Sequence, residues 1–133
     1  MRPTSIIVLL AMVAFLGNNL QAQSLDESRV KIIPTANRDE LKVIYAIETT
    51  EPLKVKFLTE NGVVASDKIK GSFPKGLLKR YDVSNINDHD FWVEISSPEM
   101  SLTYRIVPSA NKQSFTPYLE KVTYNQVLVK ANN

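Results

Sequence analysis

The sequence contains no cysteine, and it has only one histidine, one tryptophan and four glycines. Without cysteine, disulfides cannot staple the fold, and a lipid cannot be attached to a cysteine at a signal cleavage site. Zinc sites normally use several His or Cys ligands, so the composition disfavours zinc as well. The protein is therefore predicted to be held together by its hydrophobic core, and it is not predicted to be a lipoprotein.

Long hydrophobic runs are also missing, apart from the eleven apolar residues Ile6–Leu16. This run follows the positive charge of Arg2 and precedes Leu20-Gln21-Ala22, which offers a small residue at a cleavage point. The pattern predicts a signal peptide over residues 1–22 and an exported protein, either periplasmic or at the exterior of the cell. The run is too short to span a bilayer, which takes about 20 apolar residues, so no transmembrane segment is expected after cleavage.

The predicted mature chain has 111 residues, which is the length of a single domain. We expect a flexible leader over residues 23–29 and one domain over 30–133, made of a core (30–107) and a C-terminal extension (108–133). Its 15 basic and 14 acidic residues are nearly balanced, which gives no overall attraction to nucleic acid. The charges are unevenly placed, however: residues 54–80 carry seven basic and two acidic groups, whereas residues 82–99 carry five acidic groups and no lysine or arginine.

Apolar residues recur with period two along most of the mature chain, as half-buried strands require. Seven short strands are expected as far as Val107, separated by turn signals such as Asn61-Gly62. No long stretch shows helical spacing, so the pattern predicts an all-β fold, an antiparallel immunoglobulin-like β-sandwich of seven to eight strands. In the tail, residues 116–124 are expected to form either a strand or a short helix with Pro117 at its first position. Val127–Val129 is typical of an eighth strand.

Three stretches resemble the C-terminal sorting domain of the type IX secretion system, a small β-sandwich of Bacteroidetes-type bacteria. The segment IIPTANRDEL (32–41) is similar to the family's opening motif, and VKFLTENGVV (55–64) is similar to its hairpin. DVSNI (82–86) followed by FWVEI (91–95) resembles a third family motif, with His89 in place of a glycine and Phe91 in place of a tyrosine. The resemblance covers about residues 31–107. It implies the sandwich fold and a role in secretion or surface sorting.

The polar stretch before FWVEI holds several oxygen ligands within six residues, which is a pattern that could bind calcium. The calcium candidates are Asn85, Asn87, Asp88 and Asp90. The same residue types also stabilise turns through their own side chains, and the stretch lacks the glycine and the final glutamate of an EF-hand loop. A polar turn that needs no cofactor is therefore the main prediction, with calcium as the alternative.

A partner-binding surface is predicted on one face of the sheet. Trp92 alternates with the apolar row Phe91, Val93 and Ile95, so it is expected to face outward, where an indole could stack on a sugar or anchor a protein. The alternative is that a loop covers it, or the C-terminal segment with its aromatics Phe115, Tyr118 and Tyr124. Four lysines on two neighbouring strands are expected to share one polar face, either to bind anionic glycans or to keep the sheet soluble. They are Lys54, Lys56, Lys68 and Lys70.

The sequence favours a binding protein over an enzyme. His89 would have to act as the base, but Asp88 and Asp90 are adjacent to it and successive residues of a strand point to opposite faces, so neither acid can easily orient it. No G-x-S-x-G elbow is present either. The first functional hypothesis is an exported, non-catalytic interaction module that binds a protein or a glycan of the cell envelope. The alternatives are a secretion or sorting element, which the resemblance implies, and an inhibitor or accessory subunit of another envelope protein.

Overall fold

The computed structural model describes residues 25–33, 35–111 and 113–125. Within these ranges, a short 3-10 turn (Glu27–Arg29) precedes eight antiparallel strands. The strands are β1 (Val30–Ile33), β2 (Glu40–Tyr45), β3 (Glu48–Thr59), β4 (Gly62–Ser72), β5 (Leu77–Asp82), β6 (Phe91–Ser96), β7 (Met100–Pro108) and β8 (Phe115–Tyr124). Seven of them end by Pro108, which agrees with the number that the alternating pattern predicts.

The strands form an all-β sandwich of two sheets, as the sequence predicts. The smaller sheet has the order β1-β2-β5, and the larger sheet has the order β4-β3-β6-β7-β8. β3 and β4 are joined by the two turn residues Glu60 and Asn61, and Gly62 follows with φ of +110°. Residues other than glycine rarely adopt that backbone angle, which explains why glycine follows asparagine in the predicted hairpin turn.

The core lies between the inner faces of the two sheets. On β6, Phe91, Val93 and Ile95 have no exposed surface, whereas the residues between them are half-buried, so the predicted inward row is confirmed. The same alternation runs along β2 and β7. Because each fully buried large apolar side chain stabilises the fold by about 1.5–3 kcal/mol, this alternation sets the register of the strands.

The C-terminal extension adds a fifth strand to the larger sheet rather than a helix. β8 pairs with β7 over its whole length, and Phe115 enters the core, where its ring meets Phe91 edge-on at 5.7 Å. A bulge between Thr103 and Tyr104 of β7 leaves Glu120 as the extra residue on β8. The predicted strand at Val127–Val129 and the predicted signal peptide lie outside the described residues.

The segment before β1 differs from the flexible leader that the sequence predicts. Leu25 is buried in the core, and the side chain of Asp26 accepts a hydrogen bond from the Ser28 amide to begin the 3-10 turn. Arg29 then accepts a hydrogen bond from the Ala46 amide. Residues 25–29 are therefore part of the folded domain. Of the helices among the described residues, none combines the length and the apolar character needed to cross a membrane.

Candidate functional site

Three loops meet at one end of the larger sheet and surround a surface cleft of about 580 Å³. They are the β3–β4 turn, the β5–β6 loop and the β7–β8 loop, which converge because β3, β6 and β7 are antiparallel neighbours. We call this feature the Trp92 cleft. It is lined by Glu60, Asp88, His89, Asp90, Trp92, Pro108, Ser109 and Ala110. It thus brings the only tryptophan and the only histidine together with three carboxylates.

Trp92 lies on the outer face of β6, as predicted, because its neighbours in the strand point into the core. Its side chain is half-buried, and its indole Nε1 donates a hydrogen bond to Glu120 Oε1 at 3.0 Å. The C-terminal extension therefore orients the indole from the side, through the bulge residue of β8, and leaves it as part of the cleft wall. The alternative prediction, cover of Trp92 by a loop or by the C-terminal segment, is met in part, because Glu120 of that segment contacts the half-buried indole.

Arg105 lies beside Trp92 on β7 and links two acidic groups. Trp92 and Arg105 are directly opposite in the strand register. Arg105 Nε lies 3.1 Å from Asp90 Oδ2, and its Nη1 lies 4.0 Å from Glu120 Oε2. These side chains are about 40% exposed, so the ion pairs add little stability. Their main effect is to hold charged hydrogen-bonding groups in fixed positions around the indole.

Asn87, one of the calcium candidates, is instead a buried structural residue with 2% exposure. Its Nδ2 donates to the Arg38 carbonyl at 2.6 Å and to Asp39 Oδ1 at 3.1 Å, while its Oδ1 accepts from Arg38 Nη2 at 3.0 Å. The same guanidinium nitrogen lies 2.9 Å from Asp88 Oδ1. The amide therefore fastens the β1–β2 loop to the β5–β6 loop across 49 residues of sequence.

The other three calcium candidates also behave as residues of a polar turn. Asn85 is exposed, whereas Asp88 and Asp90 pair with two different arginines, Arg38 and Arg105. Within the described ranges, no group of three or more His, Cys, Asp and Glu side chains could hold a metal ion. The loop is thus a polar turn in which Asn87, Asp88 and Asp90 each contact protein partners through their side chains.

The four predicted lysines extend from the cleft along the outer face of the same sheet. Leu58 lies opposite Trp92, and Lys56 and Lys54 follow it on β3 at alternate positions. Lys54 is directly opposite Lys68 of β4. Inward-facing Leu53, Val55 and Ile69 are buried, which fixes the lysines outward. We call this group, with Lys70, the lysine face.

A second polar cluster lies between the two sheets, away from the cleft. Tyr81 Oη donates to Asp67 Oδ2 at 2.8 Å, and Tyr45 Oη lies 2.9 Å from Tyr81 Oη. Lys79 Nζ lies 3.2 Å from the same Asp67 oxygen. Burial raises the pKa of both tyrosines. Burial also raises the pKa of Asp67, but the hydrogen bonds from Tyr81, the Lys68 amide and Lys79 outweigh it and hold that pKa below its usual value.

The chain matches no protein-family model, no curated protein and no solved structure. The resemblance to a type IX sorting domain therefore stays a prediction from sequence.

Proposed function

We propose that the protein is an exported, non-catalytic glycan-binding module whose saccharide site is the Trp92 cleft. The single observation that supports this most strongly is the composition of the cleft, in which one half-buried indole is surrounded by carboxylates, an imidazole and a serine hydroxyl. Ligand sites commonly combine an apolar or aromatic surface with a few fixed polar groups that orient the ligand.

The chemistry of a sugar ring fits these groups. One face of a pyranose presents C–H groups, which pack on an aromatic surface, and its rim presents hydroxyls that donate and accept hydrogen bonds. Trp92 supplies the aromatic surface. Asp90 and Ser109, which line the cleft, supply a carboxylate acceptor and a hydroxyl group. Arg105, which is not part of the lining, lies with its Nε 3.1 Å from Asp90 Oδ2 and orients that carboxylate, so a sugar need not order it on binding.

The arrangement supports binding rather than bond cleavage. Glycoside hydrolysis requires two carboxyl groups that flank the scissile bond, one as an acid and the other as a base or nucleophile. In the cleft, Asp88 and Asp90 are each paired with a different arginine. Each of these two carboxylates already contacts a guanidinium group, an arrangement that suits the recognition of hydroxyl groups.

The proposal is tested by the retention of the purified protein on a panel of immobilised polysaccharides. Trp92→Ala should lose retention on every polysaccharide that holds the wild type. Tyr124→Ala is the matched control, because Tyr124 is 74% exposed and pairs with Met100 at the opposite end of the sheet. Equal retention of Trp92→Ala and wild type would refute the cleft as a glycan site. Capture of an envelope protein instead, lost in the same variant, would assign the cleft to a protein partner.

A second candidate function is a secretion or sorting element that the export machinery recognises through β8. The observation in its favour is that β8 is an edge strand, with Tyr118, Leu119 and Tyr124 exposed, and that it pairs with only one strand among the described residues. A sheet edge of this kind can accept an added strand. The intact mass of the exported protein tests it: trimming within residues 108–133, or a glycolipid added there, supports sorting, and an unmodified 23–133 species opposes it.

A further inference from the structure

We infer that the glycan is an acidic polysaccharide, with an uncharged sugar ring in the Trp92 cleft and its anionic groups on the lysine face. This inference rests on the proposed function and specifies its substrate class. It is carried by the continuity of the two surfaces and by a pair of like charges that face each other on neighbouring strands.

The cleft and the lysine face form one track along the outer side of β3 and β6. The register places Leu58 opposite Trp92, Lys56 opposite Glu94 and Lys54 opposite Ser96. Alternate residues of a strand are about 7 Å apart, so Lys56 and Lys54 lie about 7 and 14 Å along β3 from the level of the indole. A short oligosaccharide that leaves the cleft in this direction therefore passes over both lysines.

The opposed pair Lys54 and Lys68 is the feature that points to an anion. Like charges directly opposite on antiparallel strands destabilise a sheet. Within the described ranges, the lysine face takes part in none of the ion pairs, which involve other basic residues. A carboxylate, sulfate or phosphate group bound between the two ammonium groups would remove their repulsion, and its hydration would be partly replaced by charged hydrogen bonds.

The charge of the cleft determines which units of the polymer lie in the cleft and which lie on the lysine face. The carboxylates of the cleft are Glu60, Asp88 and Asp90; the last two pair with Arg38 and Arg105, whereas Glu60 takes part in none of the ion pairs among the described residues and leaves this end negative. This end therefore disfavours another anion and suits an uncharged ring. A polymer that alternates neutral and acidic units matches this change from an acidic, aromatic end to a basic end.

Solubility is the competing explanation for the lysines, because β4 is an edge strand and lysines protect such edges from pairing. An anionic lipid surface is the competing ligand. The aromatic cleft continuous with the lysines favours a polysaccharide over a lipid headgroup. The experiment has to separate all three explanations.

The probes are hyaluronan, in which a uronate alternates with a neutral sugar, dextran as a neutral polymer and phosphatidylglycerol vesicles as an anionic surface. The test variant is Lys54→Gln/Lys68→Gln, and the matched control is Lys31→Gln/Lys42→Gln on the outer face of the smaller sheet. Wild type should bind hyaluronan more tightly than dextran, and added salt should reduce the difference. Two exposed charge contacts predict that the test variant loses about three- to tenfold in hyaluronan affinity and keeps its dextran affinity.

The outcomes separate this inference from the proposed function. If Trp92→Ala abolishes dextran binding while Lys54→Gln/Lys68→Gln keeps full hyaluronan affinity, the cleft stands and the acidic class is wrong. If Trp92→Ala binds both polymers normally, the proposed function itself fails. Equal loss in the control double variant, or vesicle binding without hyaluronan binding, would also overturn the inference. The midpoint of urea unfolding gives a separate check, since removing the opposed charges should leave it unchanged or raise it.

Discussion

The hydrogen-bonded chain Tyr45–Tyr81–Asp67 makes a specific prediction about stability. Because Tyr81 uses its only proton on Asp67, the proton between the two tyrosines must come from Tyr45. Tyr81→Phe therefore removes a bond to a charged acceptor and also leaves the buried Tyr45 hydroxyl without a partner. Tyr45→Phe removes only one neutral bond and leaves the Tyr81 bond to Asp67 in place.

The magnitudes follow from these partners. The Asp67 side chain is 27% exposed, so we take the lower end of the usual range for a charged bond, about 1.5 kcal/mol, and add about 1 kcal/mol for the orphaned Tyr45 hydroxyl. Tyr81→Phe should thus lower the free energy of unfolding by about 2.5 kcal/mol, and Tyr45→Phe by about 1 kcal/mol. The phenylalanine at position 81 keeps the ring contact with Phe57, whose centroid lies 4.8 Å away.

Urea unfolding followed by circular dichroism and by the fluorescence of Trp92, the single tryptophan, measures both values. With a slope of about 1.5 kcal/mol per molar urea, the midpoint should fall by about 1.7 M for Tyr81→Phe and by about 0.7 M for Tyr45→Phe. Tyr118→Phe, at a side chain that is 54% exposed, is the control and should change the free energy by less than about 0.5 kcal/mol. A loss in Tyr45→Phe equal to or greater than that in Tyr81→Phe would refute the proposed direction of the chain.

Three further predictions concern the rest of the fold. Asn87→Ala should cost about 2–3 kcal/mol, measured by urea unfolding, because it leaves buried partners of the amide unsatisfied; a loss below about 0.5 kcal/mol would contradict the structural role. Because the pKa of Asp67 is lowered in the folded state, its stabilisation is present above the unfolded value and is lost as the pH falls through the folded value. Asp67→Asn should therefore flatten the fall of the unfolding midpoint on acidification below about pH 5, and an unchanged slope would oppose this. Gly76→Ala should lower the melting temperature more than Gly62→Ala, because both have positive φ but only the Cβ at position 76 meets a neighbour, Ile44 Cγ2 at 2.9 Å.

The alternation of apolar residues was enough to predict the sandwich and the outward direction of Trp92. Each inward row, such as Phe91, Val93 and Ile95, matches a strand because a slip by one residue would expose the whole row. The same rule placed Lys54 and Lys68 on the outer face. The same alternation puts Asp67 on the inner face with Ile69. Its partners Tyr81 and Lys79 belong to the other sheet, however, so the pattern along β4 does not predict them.

The contacts that build the candidate site could not be read from local patterns. Asn87 has the composition of a turn residue, and its burial depends on Arg38 and Asp39, which are almost fifty positions away in the sequence. The cleft likewise arises only when three loops meet at one sheet end. Glu120 reaches the indole of Trp92 because a bulge in β8 adds one residue there, and no period-two pattern predicts which residue that is.

The protection of Trp92 by a bound glycan tests the central claim most directly. The fluorescence of Trp92 reports on the cleft alone, because the sequence has no other tryptophan. Titration with a polysaccharide that retains the protein should change this emission saturably and should reduce its quenching by acrylamide, since a stacked sugar ring excludes the quencher. A polysaccharide that binds with full affinity and leaves both the emission and the quenching of Trp92 unchanged would contradict the account.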